Sequence, residues 1–172
     1  MEILRPGNNL SFTNPDGVIV RINVGKNVTF FGKYMYLHNG VQLADDVRVN
    51  DFASLGQDVS IGSGTHISAC VVVGNRCIIE NDVVMSYGCH IGDDVSIGTG
   101  SIIGPKSTIS KFSKIGKETE IMGSSKIGKN AKIGNYVKVC HGTIIPDDYV
   151  VPDGATAKMD IQKMLTIKYL PP

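Results

Sequence analysis

The sequence predicts an all-β solenoid in which the chain repeats every six residues. The first observation is an unbroken series of nineteen aliphatic or Met residues, one at every sixth position from Leu43 to Val151. With 42% of the chain hydrophobic, chance would produce such a series on the order of once in ten million. The second is that the position four residues after each of these is nearly always small or β-branched. The third is composition, since 20 glycines and no tryptophan in 172 residues suit a repetitive fold.

Each six-residue unit has the pattern of a short strand followed by a turn. In Val59-Ser60-Ile61 the small residue, the middle residue and the aliphatic residue point in, out and in. The next residue is often Gly, and the two after it are rich in Asn, Asp and Gly, which tolerate positive φ and form a corner. A helix is excluded, because a period of six does not keep one helical face apolar. Tyr149 is the one large residue at a small position.

The motif aliphatic-Gly-x-x-small-x resembles the hexapeptide repeat of the left-handed parallel β-helix, which occurs in many acyltransferases. The resemblance covers residues 43–157 without an insertion. It implies triangular coils of eighteen residues, six to seven in all, stacked about 4.8 Å apart. Val24, Phe30 and Tyr36 continue the six-residue step upstream, one residue out of register. We therefore expect one extra residue in a corner near residues 37–42.

The two ends of the chain lose the six-residue step and predict short caps. We expect an N-terminal cap at residues 1–23, built as a hairpin around a turn-like "TNPDG". The β-helix itself is expected at residues 24–157, and a C-terminal cap or tail, as a short helix or a strand, at residues 158–172. Caps are expected because an open last coil would expose unpaired backbone groups.

The composition gives no sign of a polymeric or membrane partner. Seventeen Lys and Arg face sixteen Asp and Glu, so we expect no nucleic-acid polymer and no membrane surface as partner. No run of eighteen apolar residues exists, and the first residues do not resemble a signal peptide. Four cysteines without a CxxC motif suit reduced thiols, and we expect a cytoplasmic protein. The four histidines lack the spacing of the zinc carbonic anhydrases built on this scaffold, so no metal is expected.

The segment from Tyr87 to Asp93 is where the resemblance bears on catalysis. It implies a homotrimer with acyl-CoA in the grooves between subunits and a histidine as general base. In the sugar-nucleotide acyltransferases the base opens a frame His-Asp-Cys-x-aliphatic-Gly-Asp/Asn, which here reads "YGCHIGD". Tyr87 holds the position of the base, and a tyrosine with an ordinary pKa of about 10 is a poor base at pH 7. His90, on a flat wall, and His141, in the corner column of Tyr87, remain candidate bases or surface histidines.

Charge is distributed unevenly along the predicted rod. Residues 41–100 carry eight acids and two arginines, a net charge of −6, whereas residues 101–141 carry eight lysines and two glutamates, a net charge of +6. Eighteen-residue stacking places Lys111 next to Lys129 at one corner and Lys114 next to Lys132 on the adjoining wall. Stacked like charges destabilise a β-ladder. The four lysines therefore indicate either a site for the phosphates of CoA or a nucleotide, or a solvated face that keeps the solenoid soluble.

Three functions are compatible with these patterns. The first is a CoA-dependent acyl- or acetyltransferase that acts on a small hydroxyl or amino acceptor at trimer interfaces and uses acetyl-CoA or another acyl-CoA. The second is a non-catalytic trimer that binds or sequesters an anionic, nucleotide-like small molecule between subunits. The third is a structural solenoid. Outward-facing Val72, Ile78 and Val84, on three successive walls, favour wall-to-wall packing in a homotrimer.

Overall fold

The computed structural model describes residues 8–13, 19–32, 34–159 and 165–169. The remaining parts of the two expected caps lie outside the described residues. Strands and turns account for the regular structure of this part of the chain, and it contains no helix that could span a membrane.

The chain forms short strands at regular intervals. In chain order they are β1 (Asn8–Thr13), β2 (Ile19–Val24), β3 (Thr29–Phe31), β4 (Tyr36–Leu37), β5 (Gln42–Leu43), β6 (Arg48–Asn50), β7 (Ser54–Leu55), β8 (Ser60–Ile61), β9 (His66–Ile67), β10 (Val72–Val73), β11 (Ile78–Ile79), β12 (Val84–Met85), β13 (His90–Ile91), β14 (Ser96–Ile97), β15 (Ile102–Ile103), β16 (Thr108–Ile109), β17 (Lys114–Ile115), β18 (Glu120–Ile121), β19 (Lys126–Ile127), β20 (Lys132–Ile133), β21 (Lys138–Val139), β22 (Ile144–Ile145), β23 (Val150–Val151), β24 (Ala155–Met159) and β25 (Leu165–Tyr169).

Successive strands belong to three sheets, which form the walls of a triangular prism. We call them wall 1 (β2 and every third strand to β23), wall 2 (β3 and every third strand to β24) and wall 3 (β4 and every third strand to β22). From β2 to β21, each strand pairs in parallel with the strand three places later in the chain, and from β4 onward the paired residues are eighteen apart. The fold is the expected left-handed parallel β-helix, with about seven coils.

The interior is filled by the two columns of residues that the six-residue period predicts. Val59 and Ile61 are buried, and Ser60 between them points outward. Tyr149 departs from the pattern: its carbonyl accepts the usual coil-to-coil hydrogen bond from the Lys132 N–H at 2.8 Å, but its side chain is 38% exposed. A phenol ring does not fit a position built for valine or serine, so the ring lies outside while the backbone keeps its register.

The extra residue lies one corner earlier than expected. Val24 pairs with Leu43 and Phe30 with Val49, both nineteen residues apart, whereas Leu37 pairs with Leu55 at a distance of eighteen. The insertion therefore lies between β3, which ends at Phe31, and β4, which begins at Tyr36, and the expected position at residues 37–42 is wrong. Leu37, rather than Tyr36, points inward, because an aliphatic side chain fits the interior and the tyrosine can remain exposed.

At each end of the described coils, one wall is extended by an antiparallel strand. β1 pairs with β2 on wall 1, and β25 pairs with β24 on wall 2. These pairings satisfy backbone groups of the end strands that would otherwise be open for association.

Candidate functional site

The corner between walls 3 and 1 is held by a ladder of Asn and Asp side chains that is interrupted within residues 101–141, which we call the basic half. The Gln57 N–H donates to Asn75 Oδ1 at 2.8 Å, and the Asn75 N–H donates to Asp93 Oδ1 at 2.7 Å. The next two residues of this column are Lys111 and Lys129, whose side chains cannot accept. The N–H groups of Asp93 and Lys111 consequently have no acceptor among the described residues. The two lysines and these two N–H groups are donors that suit an anion, although the carboxylates of Asp93 and Asp147 lie in the same column.

Lys111 and Lys129 meet at one aromatic ring. Their ammonium groups lie 5.8 Å and 5.9 Å from the centroid of the Phe112 ring. Phe112 has a φ of 66°, the left-handed conformation that Asn, Asp and Gly adopt more readily. Cation–π contact holds both lysines at the corner without neutralising either charge.

The second lysine pair lies on wall 1, where Lys114 is paired directly with Lys132. The ion pairs among the described residues are Arg76–Asp94 at 2.7 Å and Lys138–Glu120 at 3.1 Å, and neither involves these four lysines. The Arg76 guanidinium holds the pKa of the Asp94 carboxyl below its usual value, and the same contact raises the pKa of Arg76. The structure thus shows compensated charges elsewhere on the surface, in contrast to these four ammonium groups.

His90 lies on wall 3, in the same shallow groove as Lys111. It is exposed on β13, between Val72 and Thr108 of the neighbouring strands. The open groove around it is lined by Val72, Gly74, His90, Ile91, Gly92, Asp93, Thr108, Ile109, Ser110 and Lys111. One candidate base and one candidate phosphate-binding residue therefore share a surface.

Tyr87 and His141 lie apart from this groove. Both are exposed at the corner between walls 2 and 3, three coils or about 14 Å from each other. The Tyr87 carbonyl accepts the Lys106 N–H at 3.0 Å, so its backbone takes part in coil stacking. Neither side chain lines the wall 3 groove.

Cys89, next to the groove residue His90, and His66, on wall 2, both have contacts within the protein. Cys89 is buried, its Sγ donates to the Ser86 carbonyl at 2.7 Å, and burial raises the pKa of its thiol to about 11. Burial and the raised pKa both disfavour a nucleophilic role at neutral pH, because the thiolate is the reactive form. His66 Nε2 lies 3.1 Å from Asn50 Nδ2. Within the described ranges, no three His, Cys, Asp or Glu side chains are grouped so as to hold a metal ion.

Three residues of the basic half take part in cation–π contacts but were not identified as candidate site residues from the sequence: Phe112, Lys117 and Tyr136. Lys117 lies at the corner between walls 1 and 2, with its ammonium group 5.4 Å from the centroid of the Tyr136 ring. A hydrogen bond to the Tyr136 side chain raises the pKa of Lys117. The available signal was an aromatic residue at the left-handed corner position, seventeen or nineteen residues from a lysine.

Comparison with known proteins identifies shared structure rather than close sequence relatives. No family model and no curated protein sequence matches the chain. A presumed acetyltransferase from Bacillus cereus has 21% identity over 83% of this chain and 82% of its own, with a TM-score of 0.65. LpxA from Acinetobacter baumannii has 16% identity over 86% of this chain and 67% of its own, with a TM-score of 0.67.

A third similar structure contains ligands. PerB from Caulobacter crescentus, in complex with CoA and GDP-perosamine, has 19% identity and a TM-score of 0.63 over 71% of this chain. The match covers 56% of the PerB chain. The resemblance to hexapeptide-repeat acyltransferases is therefore confirmed for the fold, and the structures that share it include acyltransferases, one of them with CoA bound.

Proposed function

From this shared fold, we propose that the protein is an acyltransferase that uses acetyl-CoA or another acyl-CoA and acts on a small hydroxyl or amino acceptor. One observation carries the proposal: His90 and Lys111 line the same groove on wall 3. An imidazole is suited to proton transfer near neutral pH, and an ammonium group attracts the phosphates of CoA. Lys129, one coil further along the same corner, adds a second cation next to Phe112.

The chemistry needs one base and one acid, and a single histidine can supply both. His90 takes the proton from the acceptor hydroxyl or amine as that atom attacks the thioester carbonyl carbon. The resulting tetrahedral intermediate collapses, and the carbon–sulfur bond breaks. The imidazolium of His90 then returns the proton to the CoA sulfur, which leaves as a thiol.

The proposal includes a homotrimer, because the groove on wall 3 is open and a second subunit would cover it. Wall 2 offers an apolar surface for such packing: Val84 and Ile102 are paired neighbours on β12 and β15, and both are exposed. Lys114, Lys132 and Tyr136 do not line the wall 3 groove.

The test compares His90→Ala with His141→Ala, two exposed histidines in different columns. Transfer from acetyl-CoA to a panel of small amines and alcohols is followed through the released thiol. His90→Ala should lower kcat/KM by about 10²- to 10⁴-fold, the usual contribution of a general base, while His141→Ala stays close to the wild type. Lys111→Ala should raise KM for acetyl-CoA with little change in kcat. Activity lost in His141→Ala and kept in His90→Ala would contradict this choice of base.

A non-catalytic trimer that binds a nucleotide-like anion is the second candidate. Tyr87 favours it, because a tyrosine occupies the position of the base in the frame from Tyr87 to Asp93. Calorimetric titration separates the candidates. Acetyl-CoA binding that is lost in Lys111→Ala/Lys129→Ala supports the transferase, and nucleotide binding without CoA binding supports the second candidate. No heat with any ligand would leave a structural solenoid.

A further inference from the structure

Wall 1 carries a pair of cations that nothing in the described structure neutralises. Lys114 and Lys132 are direct neighbours on β17 and β20, both exposed, on strands about 4.8 Å apart. The comparable neighbours on wall 2, Glu120 and Lys138, have opposite charges and form an ion pair at 3.1 Å. Like charges directly opposite each other destabilise a sheet. Wall 1 therefore keeps a repulsive pair at a position where wall 2 has an attractive one.

The surface beside this pair is flat. The residue that follows each of these strands is a glycine, Gly116 or Gly134. A Cβ on Gly116 would lie 2.5 Å from backbone atoms of Gly134, so coil stacking leaves no room for a side chain there. Between the two lysines and the corner of walls 1 and 2, the surface therefore consists of backbone atoms, and a planar group can lie on it.

An aromatic ring and a third cation lie at the corner between walls 1 and 2, next to this backbone surface. Tyr136 is 54% exposed and has a φ of 58°, a conformation that costs a bulky residue about 1 kcal/mol. The Lys117 ammonium lies 5.4 Å from the centroid of its ring. An exposed aromatic ring at a strained position, beside a cation, is suited to stack with an aryl group whose phosphates lie nearby.

The extent of the charged surface limits the size of the ligand. Along wall 1, the outward neighbours of the lysine pair are Ser96 on one side and Val150 on the other, and neither is charged. Along the axis of the rod, the charged surface on wall 1 therefore extends over a single strand spacing. A polymer such as nucleic acid would need cations over many coils, whereas two adjacent phosphates match two adjacent ammonium groups.

From these observations we infer that wall 1 binds a small aryl polyphosphate, of the class of nucleoside diphosphates, at a site separate from the wall 3 groove. Lys114 and Lys132 contact the two phosphates, and the base stacks on the Tyr136 ring beside Lys117. Walls 1 and 3 of a triangular prism face different directions, with Phe112 at the edge between them. A ligand that lies flat on wall 1 therefore does not reach His90.

Calorimetric titration of the full chain with ADP, pyrophosphate and adenosine tests the inference. Wild-type protein should bind ADP most tightly, pyrophosphate less tightly and adenosine most weakly. Its affinity for ADP should fall as the salt concentration is raised. Lys114→Ala/Lys132→Ala should weaken ADP and pyrophosphate at least 10-fold. Tyr136→Asn, which suits the left-handed corner, should weaken ADP and leave pyrophosphate unchanged. Lys126→Ala, an exposed lysine on wall 3, is the matched control and should bind ADP like the wild type.

Crossed variants separate this site from the proposed acyltransferase site. Lys111→Ala should keep ADP binding, and Lys114→Ala/Lys132→Ala should keep its KM for acetyl-CoA. Absence of ADP binding, or equal loss in Lys126→Ala, overturns the inference and leaves acyl transfer unaffected. A 10-fold rise of KM for acetyl-CoA in Lys114→Ala/Lys132→Ala also overturns it, because the two sites would then be one. Dissociation of an oligomer in that variant would indicate a protein partner and overturn the inference as well.

Discussion

At the scale of single residues, orientation decides which side chains of the repeat can take part in chemistry. Cys89 and His90 are neighbours in the sequence, but the cysteine points inward and the histidine outward. Burial raises the pKa of the Cys89 thiol to about 11, while its Sγ donates to the Ser86 carbonyl. Cys89 is therefore a packing residue, although it lies in the segment from Tyr87 to Asp93 that resembles the frame of the acyltransferases.

The raised pKa of Cys89 predicts a loss of stability at alkaline pH. The thiol has an ordinary pKa of 9.0 and a folded pKa of about 11, so the folded state holds the proton more tightly than the unfolded state. The resulting contribution, about 2–3 kcal/mol, is fully present below pH 9 and is lost as pH rises from about 9 to about 11. Urea unfolding across this range should show a steeper loss of the free energy of unfolding for wild-type protein than for Cys89→Ala. Parallel curves would contradict the prediction.

At the scale of the strand and its turn, buried hydroxyl groups connect successive coils. Inward-facing serines and threonines of the basic half donate to a carbonyl fifteen residues further on: Ser101 to Gly116, Ser107 to Met122, Ser113 to Gly128, Thr119 to Gly134 and Ser125 to Cys140. Thr143 occupies the same inward position in its own six-residue unit. Its Oγ1 is buried, however, and has no hydrogen-bond partner among the described residues.

These two threonines predict opposite effects of the same substitution. Thr119→Val removes a donor to the Gly134 carbonyl at 2.8 Å and should lower the free energy of unfolding by about 1–2 kcal/mol. Thr143→Val removes an unsatisfied hydroxyl and should be neutral or stabilising by up to about 1 kcal/mol. Both measurements use urea unfolding at neutral pH. Equal losses in the two variants would show that the Thr143 hydroxyl has a partner in solution.

The sequence predicts the hexads well and the position of the insertion poorly, for a physical reason. Nineteen aliphatic or Met positions at one period define the interior, because a large side chain that points inward has to be apolar, whereas the small inward positions also accept Ser and Thr that bond to a carbonyl. At the insertion, Tyr36 and Leu37 are adjacent, and either could continue the six-residue step. The period alone therefore does not determine which of the two side chains points inward. The pairing of Leu37 with Leu55 settles the register.

The candidate site was only partly visible in the sequence. Stacking by eighteen residues placed Lys114 next to Lys132 correctly, because the register of a solenoid follows directly from its repeat. Contacts between corners depend on side-chain direction, which the repeat does not encode. The shared ring of Phe112, the Lys117–Tyr136 contact and the groove that joins His90 to Lys111 therefore required the structure.

At the scale of the whole molecule, the distribution of charge and of exposed apolar residues bears on assembly. Net charges of −6 over residues 41–100 and +6 over residues 101–141 give the rod an acidic and a basic half. In a trimer with parallel subunits, the three basic halves lie at the same height and repel each other. Bound anions and added salt should reduce this repulsion, so the trimer should be more stable in their presence.

The exposed apolar residues predict which wall holds the proposed trimer together. Ile102 on wall 2 is 46% exposed and pairs with Val84, so two apolar side chains form one patch. Ile78 on wall 1 is 56% exposed, but its paired neighbours are Ser60 and Ser96. A buried carboxylate without a partner is strongly unfavourable. Ile102→Asp should therefore convert the trimer to a monomer in sedimentation velocity, while Ile78→Asp remains trimeric. Dissociation by Ile78→Asp alone would place the interface on wall 1, where it would cover Lys114 and Lys132 and exclude the proposed nucleotide, so this experiment tests both proposals.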